Sequence, residues 1–94
     1  MKLEWDEAKR QTTLKERGLD FVHLERFDWE TAMVSKDLRT DYGETRTIAF
    51  GTIDNRLICL VYTMRTHALR VISMRKANAR ERKVYDSFIT QTND

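Results

Sequence analysis

Between the Asp54-Asn55 pair and Met64 lies the segment Arg56-Leu57-Ile58-Cys59-Leu60-Val61-Tyr62-Thr63, apolar without a break from Leu57 to Tyr62. A run this short, rich in branched residues and preceded by a turn pair, reads as a strand covered on both faces rather than as a helix. Such a strand is central, so it requires neighbours, and the flanking sequence supplies them. Before it, Glu44 to Gly51 alternates, with Glu44, Arg46, Ile48 and Phe50 on one side and Thr45, Thr47 and Ala49 on the other. After it, Met64 to His67 reads as a turn and Ala68 to Met74 as another strand. Thr31 to Lys36 is strand-like as well, and Tyr42-Gly43 marks a turn. Strands in succession joined by short turns predict an antiparallel meander.

The ends of the chain read differently. Leu3-Glu4-Trp5 is a candidate short strand. Asp6 is placed to cap a helix from Glu7 to about Arg17, with Gly18 just past its end. Asp20 then precedes Phe21, Leu24 and Phe27, spaced three and three, which predicts a second short helix. Lys76 to Thr90 carries an apolar stripe of Ala77, Val84, Tyr85, Phe88 and Ile89, and Asn78 and Glu81 have capping-box spacing. The expected order is β-α-α-β-β-β-β-α. The expected class is α+β, an antiparallel sheet of about four strands packed with two N-terminal helices and one C-terminal helix. The 94 residues are expected to form one domain, 1–94.

Several function classes are disfavoured. The longest apolar run is far too short to span a bilayer. The opening Met1-Lys2-Leu3-Glu4-Trp5-Asp6 turns acidic at once, unlike a signal peptide. The single cysteine, Cys59, sits inside the apolar run, and His23 and His67 are far apart, so neither a disulfide framework nor a metal site is expected. No cofactor motif is present. A reducing cytoplasm is the expected compartment.

The charge is segregated. Residues 65–94 carry seven basic against three acidic side chains, whereas residues 1–30 carry six against eight. An anionic ligand would select such a third, and nucleic acid is the commonest one. Arg80 and Arg82 open the last helix, where cations oppose the helix dipole. They either pair with acids from the N-terminal half or belong to an anion site. Arg46 and Arg70 each sit in a strand among apolar residues of the same side. Glu44 precedes Arg46 by two, so the two share a face. A carboxylate beside a guanidinium is the minimum for a base working with a phosphate clamp, and it is also an ordinary surface ion pair. Tyr62 is either core or a stacking platform. His67 lies in a turn near Arg65 and Arg70.

Six segments in order resemble the BrnT-type toxins. Leu3-Glu4-Trp5-Asp6 with Lys9 is similar to that family's F-x-W-D-x-x-K opening, and Gly18-Leu19-Asp20-Phe21 to its K-H-G-x-x-F segment. Tyr42-Gly43-Glu44-x-Arg46 matches Y-G-E-x-R. Gly51, Arg56-Leu57 and Val61-Tyr62-Thr63 match its G-x-x-x-x-R-L run and V-x-Y-T. Arg70-Val71-Ile72-Ser73-x-Arg75-x-Ala77 and Glu81-Arg82-x-x-Tyr85 match its ending. One departure stands out: Glu16-Arg17-Gly18 replaces the common Lys-His-Gly.

The resemblance implies a RelE-like fold and a type II toxin that cleaves RNA and inhibits translation. It implies neutralisation by a cognate BrnA-like ribbon-helix-helix antitoxin, with operator DNA reached only through that antitoxin. Metal-independent cleavage uses the RNA 2′-hydroxyl as nucleophile and needs a base and cations for the developing charge. Glu44, Arg46, Arg70 and Arg75 are the candidate catalytic residues, with Glu44 as base. Tyr62, Arg65, Arg80 and Arg82 are the candidate RNA contacts. The alternative is a non-enzymatic basic module that docks an antitoxin or nucleic acid.

Overall fold

The computed structural model describes residues 2–39 and 41–92. Strand β1 (Lys2–Glu4) leads through Asp6 into helix α1 (Glu7–Arg17). Asp6 accepts from the backbone N–H groups of Ala8 and Lys9, and Gly18 at φ 67° closes the helix with its own N–H on the Leu14 carbonyl. Only a residue at ease in the left-handed region ends a helix so cheaply. A 3-10 turn, Phe21–Arg26, follows under an Asp20 cap. Then come β2 (Met33–Lys36), β3 (Thr47–Ile53), β4 (Arg56–Met64), β5 (Ala68–Lys76) and helix α2 (Ala79–Thr92). In α2 the capping box forms in both directions, Glu81 N–H to Asn78 Oδ1 at 2.8 Å and Asn78 N–H to Glu81 Oε1 at 2.9 Å.

The α+β class stands, but the expected sheet and helix counts are corrected. Five strands run in the order β1-β5-β4-β3-β2, and the sheet is mixed because β1 pairs parallel to β5. The second N-terminal helix is a 3-10 turn rather than an α-helix, leaving one N-terminal α-helix. Its apolar spacing of three and three is the 3-10 period, so all three side chains stack on one side. Phe21, Leu24 and Phe27 are all buried. The strand expected from Glu44 begins only at Thr47, so Glu44 lies in the loop before β3. In β5 regular strand alternation breaks at a bulge: Val61 pairs Ser73 and Tyr62 pairs Val71, leaving Ile72 extra.

The β3–β4 hairpin turns at Asp54 and Asn55, both with positive φ (50° and 68°), the geometry that suits the strand twist. One sheet face carries Ala49, Ile53, Ile58, Leu60, Tyr62, Leu69, Val71 and Met74, packed against Leu19 and the 3-10 turn. Phe27 lies so close over β3 that a Cβ on Gly51 would fall 2.5 Å from its ring tip. β1 covers only Ala68–Arg70 of β5. Beyond it, Lys9 Nζ and Arg17 Nη1 of α1 donate to the carbonyls of Ile72 and Met74 at 2.9 Å each. Cationic side chains thus occupy carbonyls of a strand edge that would otherwise be open to another chain.

Candidate active site

The other sheet face is built from the same strands by alternation. Glu4 pairs Arg70, and Arg70 pairs Thr63. Thr47 pairs Tyr62, so Arg46, one residue earlier, falls on Thr63's side. Glu4, Arg70, Thr63 and Arg46 therefore form one row across the sheet. Two rows further on, Arg75 pairs Cys59 and Phe50 pairs the same residue from the other side. At about 6.6–6.8 Å per two residues along a strand, the Arg70 and Arg75 rows are about 13 Å apart.

The ion pairs on this face are uneven. Glu44 stands 3.5 Å from Arg46 Nε and 3.7 Å from Arg65 Nη2. The first contact lacks hydrogen-bond geometry, and Arg46 Nε is buried with no acceptor. Arg70 stands 3.7 Å from Glu4, too far for a tight bond, and a third of its side chain is exposed. Arg75 is held much harder: both terminal nitrogens bond Glu81 at 2.8 Å. That fork holds the Glu81 carboxyl down at about 2, with the Asn78 N–H helping, and fastens the start of α2 to β5. Farther along α2, Tyr85 is buried and its hydroxyl donates to the Thr31 carbonyl at 3.0 Å.

Residues 37–39 and 41–46 rim the face. Asp37 N–H donates to the Arg46 carbonyl at 2.8 Å, closing the loop. The Asp37 side chain is fully buried and accepts from Arg39 Nε, Arg39 Nη2, the Arg39 N–H and the Tyr42 hydroxyl. The Arg39 guanidinium first, then the other donors, keep its carboxyl well below the usual carboxylate range. The Tyr42 ring lies under Arg46, 4.0 Å from Cζ. Thr63 Oγ1 donates to the Thr45 carbonyl at 2.7 Å, tying β4 to the same loop.

The structure thus brings Glu44, Arg46, Arg65 and Arg70 to one end of one face, with Arg75 farther along it. Tyr62 does not join them. It is 8% exposed on the opposite face, edge-on to Trp29 at 5.6 Å. There it helps line an open cavity of about 710 Å³ with Trp5, Leu24, Trp29, Met64 and Leu69. Burial pushes its hydroxyl pKa up. Arg80 and Arg82 are exposed on α2, and no ion pair among the described residues involves them. His67 is exposed in the β4–β5 turn. Asp37, Arg39 and Tyr42 are additions that the sequence reading did not single out as site residues. Among the described residues no three His, Cys, Asp or Glu side chains stand together as metal ligands, and no helix is long and apolar enough to cross a membrane.

A family model matches residues 5–81, most of the chain; its description is ribonuclease toxin, BrnT, of type II toxin-antitoxin system. No curated protein matches the chain significantly.

Proposed function

The chain belongs to the BrnT family of type II toxin-antitoxin ribonuclease toxins, and from that premise we propose that its arginine-bearing sheet face is where RNA is cut. The observation that carries this is the row of Arg70 and Arg46 on one face, with Glu44 between two guanidiniums. Arg46 Nε, buried and without an acceptor, supports it further: an unused charged donor is costly unless a ligand takes it up.

In the proposed reaction Glu44 takes the proton of a ribose 2′-hydroxyl. The 2′-oxygen attacks the adjacent phosphorus, the 5′-oxygen of the next nucleotide departs and takes a proton from water, and the products are a 2′,3′-cyclic phosphate and a 5′-hydroxyl. No metal takes part. Arg46 and Arg70 neutralise the charge that gathers on the phosphorane, which a planar guanidinium does in bidentate fashion. Arg65 guides the strand at the rim. Arg75 adds positive field, but its two terminal nitrogens are already taken by Glu81, so its main work is to hold α2. Arg80 and Arg82 contribute long-range attraction for the backbone.

Loss of intact RNA in turn halts translation. The partner is a BrnA-like ribbon-helix-helix antitoxin, and operator DNA is reached only through it; what supports this reading is the family's place in a type II toxin-antitoxin system, which calls for an antitoxin. The chain acts as one domain, in the cytoplasm.

The test is cleavage of a defined RNA in the presence of a chelator, followed by end-group analysis. A cyclic phosphate product, and complete resistance of a substrate with a single 2′-deoxy sugar at the cut, are expected. Cleavage of the deoxy substrate would contradict the mechanism.

A further inference from the structure

We propose that Tyr42 and Asp37 are positioning residues, which hold the Arg46 guanidinium in the plane where the substrate phosphate arrives. The inference rests on the assignment of Arg46 to phosphate stabilisation. A free arginine samples many rotamers, and fixing one has an entropic cost. An arginine that must meet a transition state is more effective if that cost is met during folding.

The loop from Asp37 to Arg46 supplies the means. Its backbone is closed by the Asp37 N–H on the Arg46 carbonyl at 2.8 Å. Within it the Tyr42 ring lies 4.0 Å below Arg46 Cζ, so the guanidinium rests on a flat support. The ring itself is pinned, because its hydroxyl donates to Asp37 Oδ2 at 3.2 Å. Asp37 in turn cannot move: its side chain is fully buried and takes three further bonds from Arg39. The chain of support therefore runs from a buried carboxylate, through a phenol, to a guanidinium whose Nε still lacks an acceptor. Neither Tyr42 nor Asp37 touches the reacting atoms. Each acts through Arg46.

The test compares wild type, Tyr42→Phe, Tyr42→Leu, Arg46→Ala and the Tyr42→Leu/Arg46→Ala double variant in single-turnover cleavage. Arg46 side-chain NMR signals are recorded wherever that residue is present. In wild type and Tyr42→Phe the ring should shift the Arg46 side-chain protons upfield, and Tyr42→Leu should abolish the shift. Tyr42→Leu should slow cleavage by about ten- to a hundredfold, the order expected when a catalytic group is displaced by an ångström or so. Tyr42→Phe should recover only part of that loss, because the ring remains but its bond to Asp37 is gone, and full recovery would overturn the role of Asp37. In the Arg46→Ala background Tyr42→Leu should cost nothing more. Wild-type cleavage by Tyr42→Leu, or a full additional loss in the double variant, would overturn the inference while leaving Arg46 in its role. Wild-type cleavage by Arg46→Ala would instead overturn the site assignment beneath it. A wild-type spectrum with no ring shift on Arg46 overturns the positioning without any variant.

Discussion

The two faces of the sheet share every strand yet solve opposite problems. One face buries Leu60, Leu69, Val71 and Met74 under Phe21, Leu24 and Phe27, with Trp5 edge-on to Phe21. It has almost no slack: Phe27 sits against the bare backbone of Gly51. The other face carries Arg46, Arg70 and Arg75 above buried Cys59, Val61 and Thr63, and its charges are only loosely matched at the Arg70 end. Packing density stabilises the first, while the second keeps unspent hydrogen-bonding capacity, on which the proposed site draws. A single strand serves both because alternate side chains point to opposite sides, so Tyr62 helps wall the aromatic side while its neighbour Thr63 lies in the arginine row. Stability and activity in this toxin should therefore be separable by mutation, residue by residue.

The largest separation is expected from the Arg46→Ala/Arg70→Ala double variant. Each lost donor typically costs on the order of 10²–10³ in rate, so single-turnover cleavage should fall by more than about 10³ with the protein still folded by circular dichroism. Next comes Gly51→Ala on the opposite face. The added methyl collides with Phe27, and overpacking of this kind costs about 1–3 kcal/mol. Its melting temperature should drop by several degrees at least, while the folded fraction cleaves normally. A cleavage defect without a stability defect would contradict the division of labour between the two faces. Arg75→Ala tests that division within the arginine face itself. Although Arg75 lies on the arginine face, its fork to Glu81 makes it a fastener for α2. A partly exposed ion pair is worth up to about 1 kcal/mol, or roughly 4–8 °C in a domain of this size. Thermal melting should register that loss, with cleavage by the folded fraction changed far less than in Arg70→Ala. The smallest effect is on pH dependence. The Glu81 carboxyl is depressed to about 2 from an ordinary 4.5, so its contribution is complete above 4.5 and disappears as pH falls towards 2. Asp37 acts in the same direction. Melting curves from about pH 5 to about pH 3 should show falling stability, and Glu81→Gln should flatten part of that slope.

How much of this was legible in the sequence depends on the range of the interaction involved. The Asp6 and Gly18 caps, the Asn78–Glu81 box and the Asp54-Asn55 turn are local, and the residues write them directly. Whether Tyr62 is core or a stacking platform was open in the sequence, and the structure buries it on the side of Ile58 and Leu60. The 3-10 turn was misjudged although its period was visible: a spacing of three and three is 3.0 residues per turn, not 3.6. The parallel pairing of β1 was not legible, because three residues carry no periodicity and their partner is over sixty positions away. The same limit hid the composition of the site. That Arg46 and Arg70 share a row depends on the register of β3, β4 and β5, and that Tyr62 does not join them depends on the same register. Asp37 looked like any loop acid. Its burial follows from the fold of a loop whose Tyr42 and Arg39 converge on it, and no spacing rule announces that.

The most direct test of the division between the faces is Arg70→Ala, with single-turnover cleavage and melting temperature measured on the same preparation. Arg70 meets Glu4 only at 3.7 Å on a partly exposed edge of the face, so little stability should be at stake. The account predicts a rate loss of about 10²–10³ with a melting temperature within a few degrees of wild type. A large drop in melting temperature, with unchanged cleavage by the folded fraction, would contradict it and return Arg70 to the role of a structural ion-pair partner.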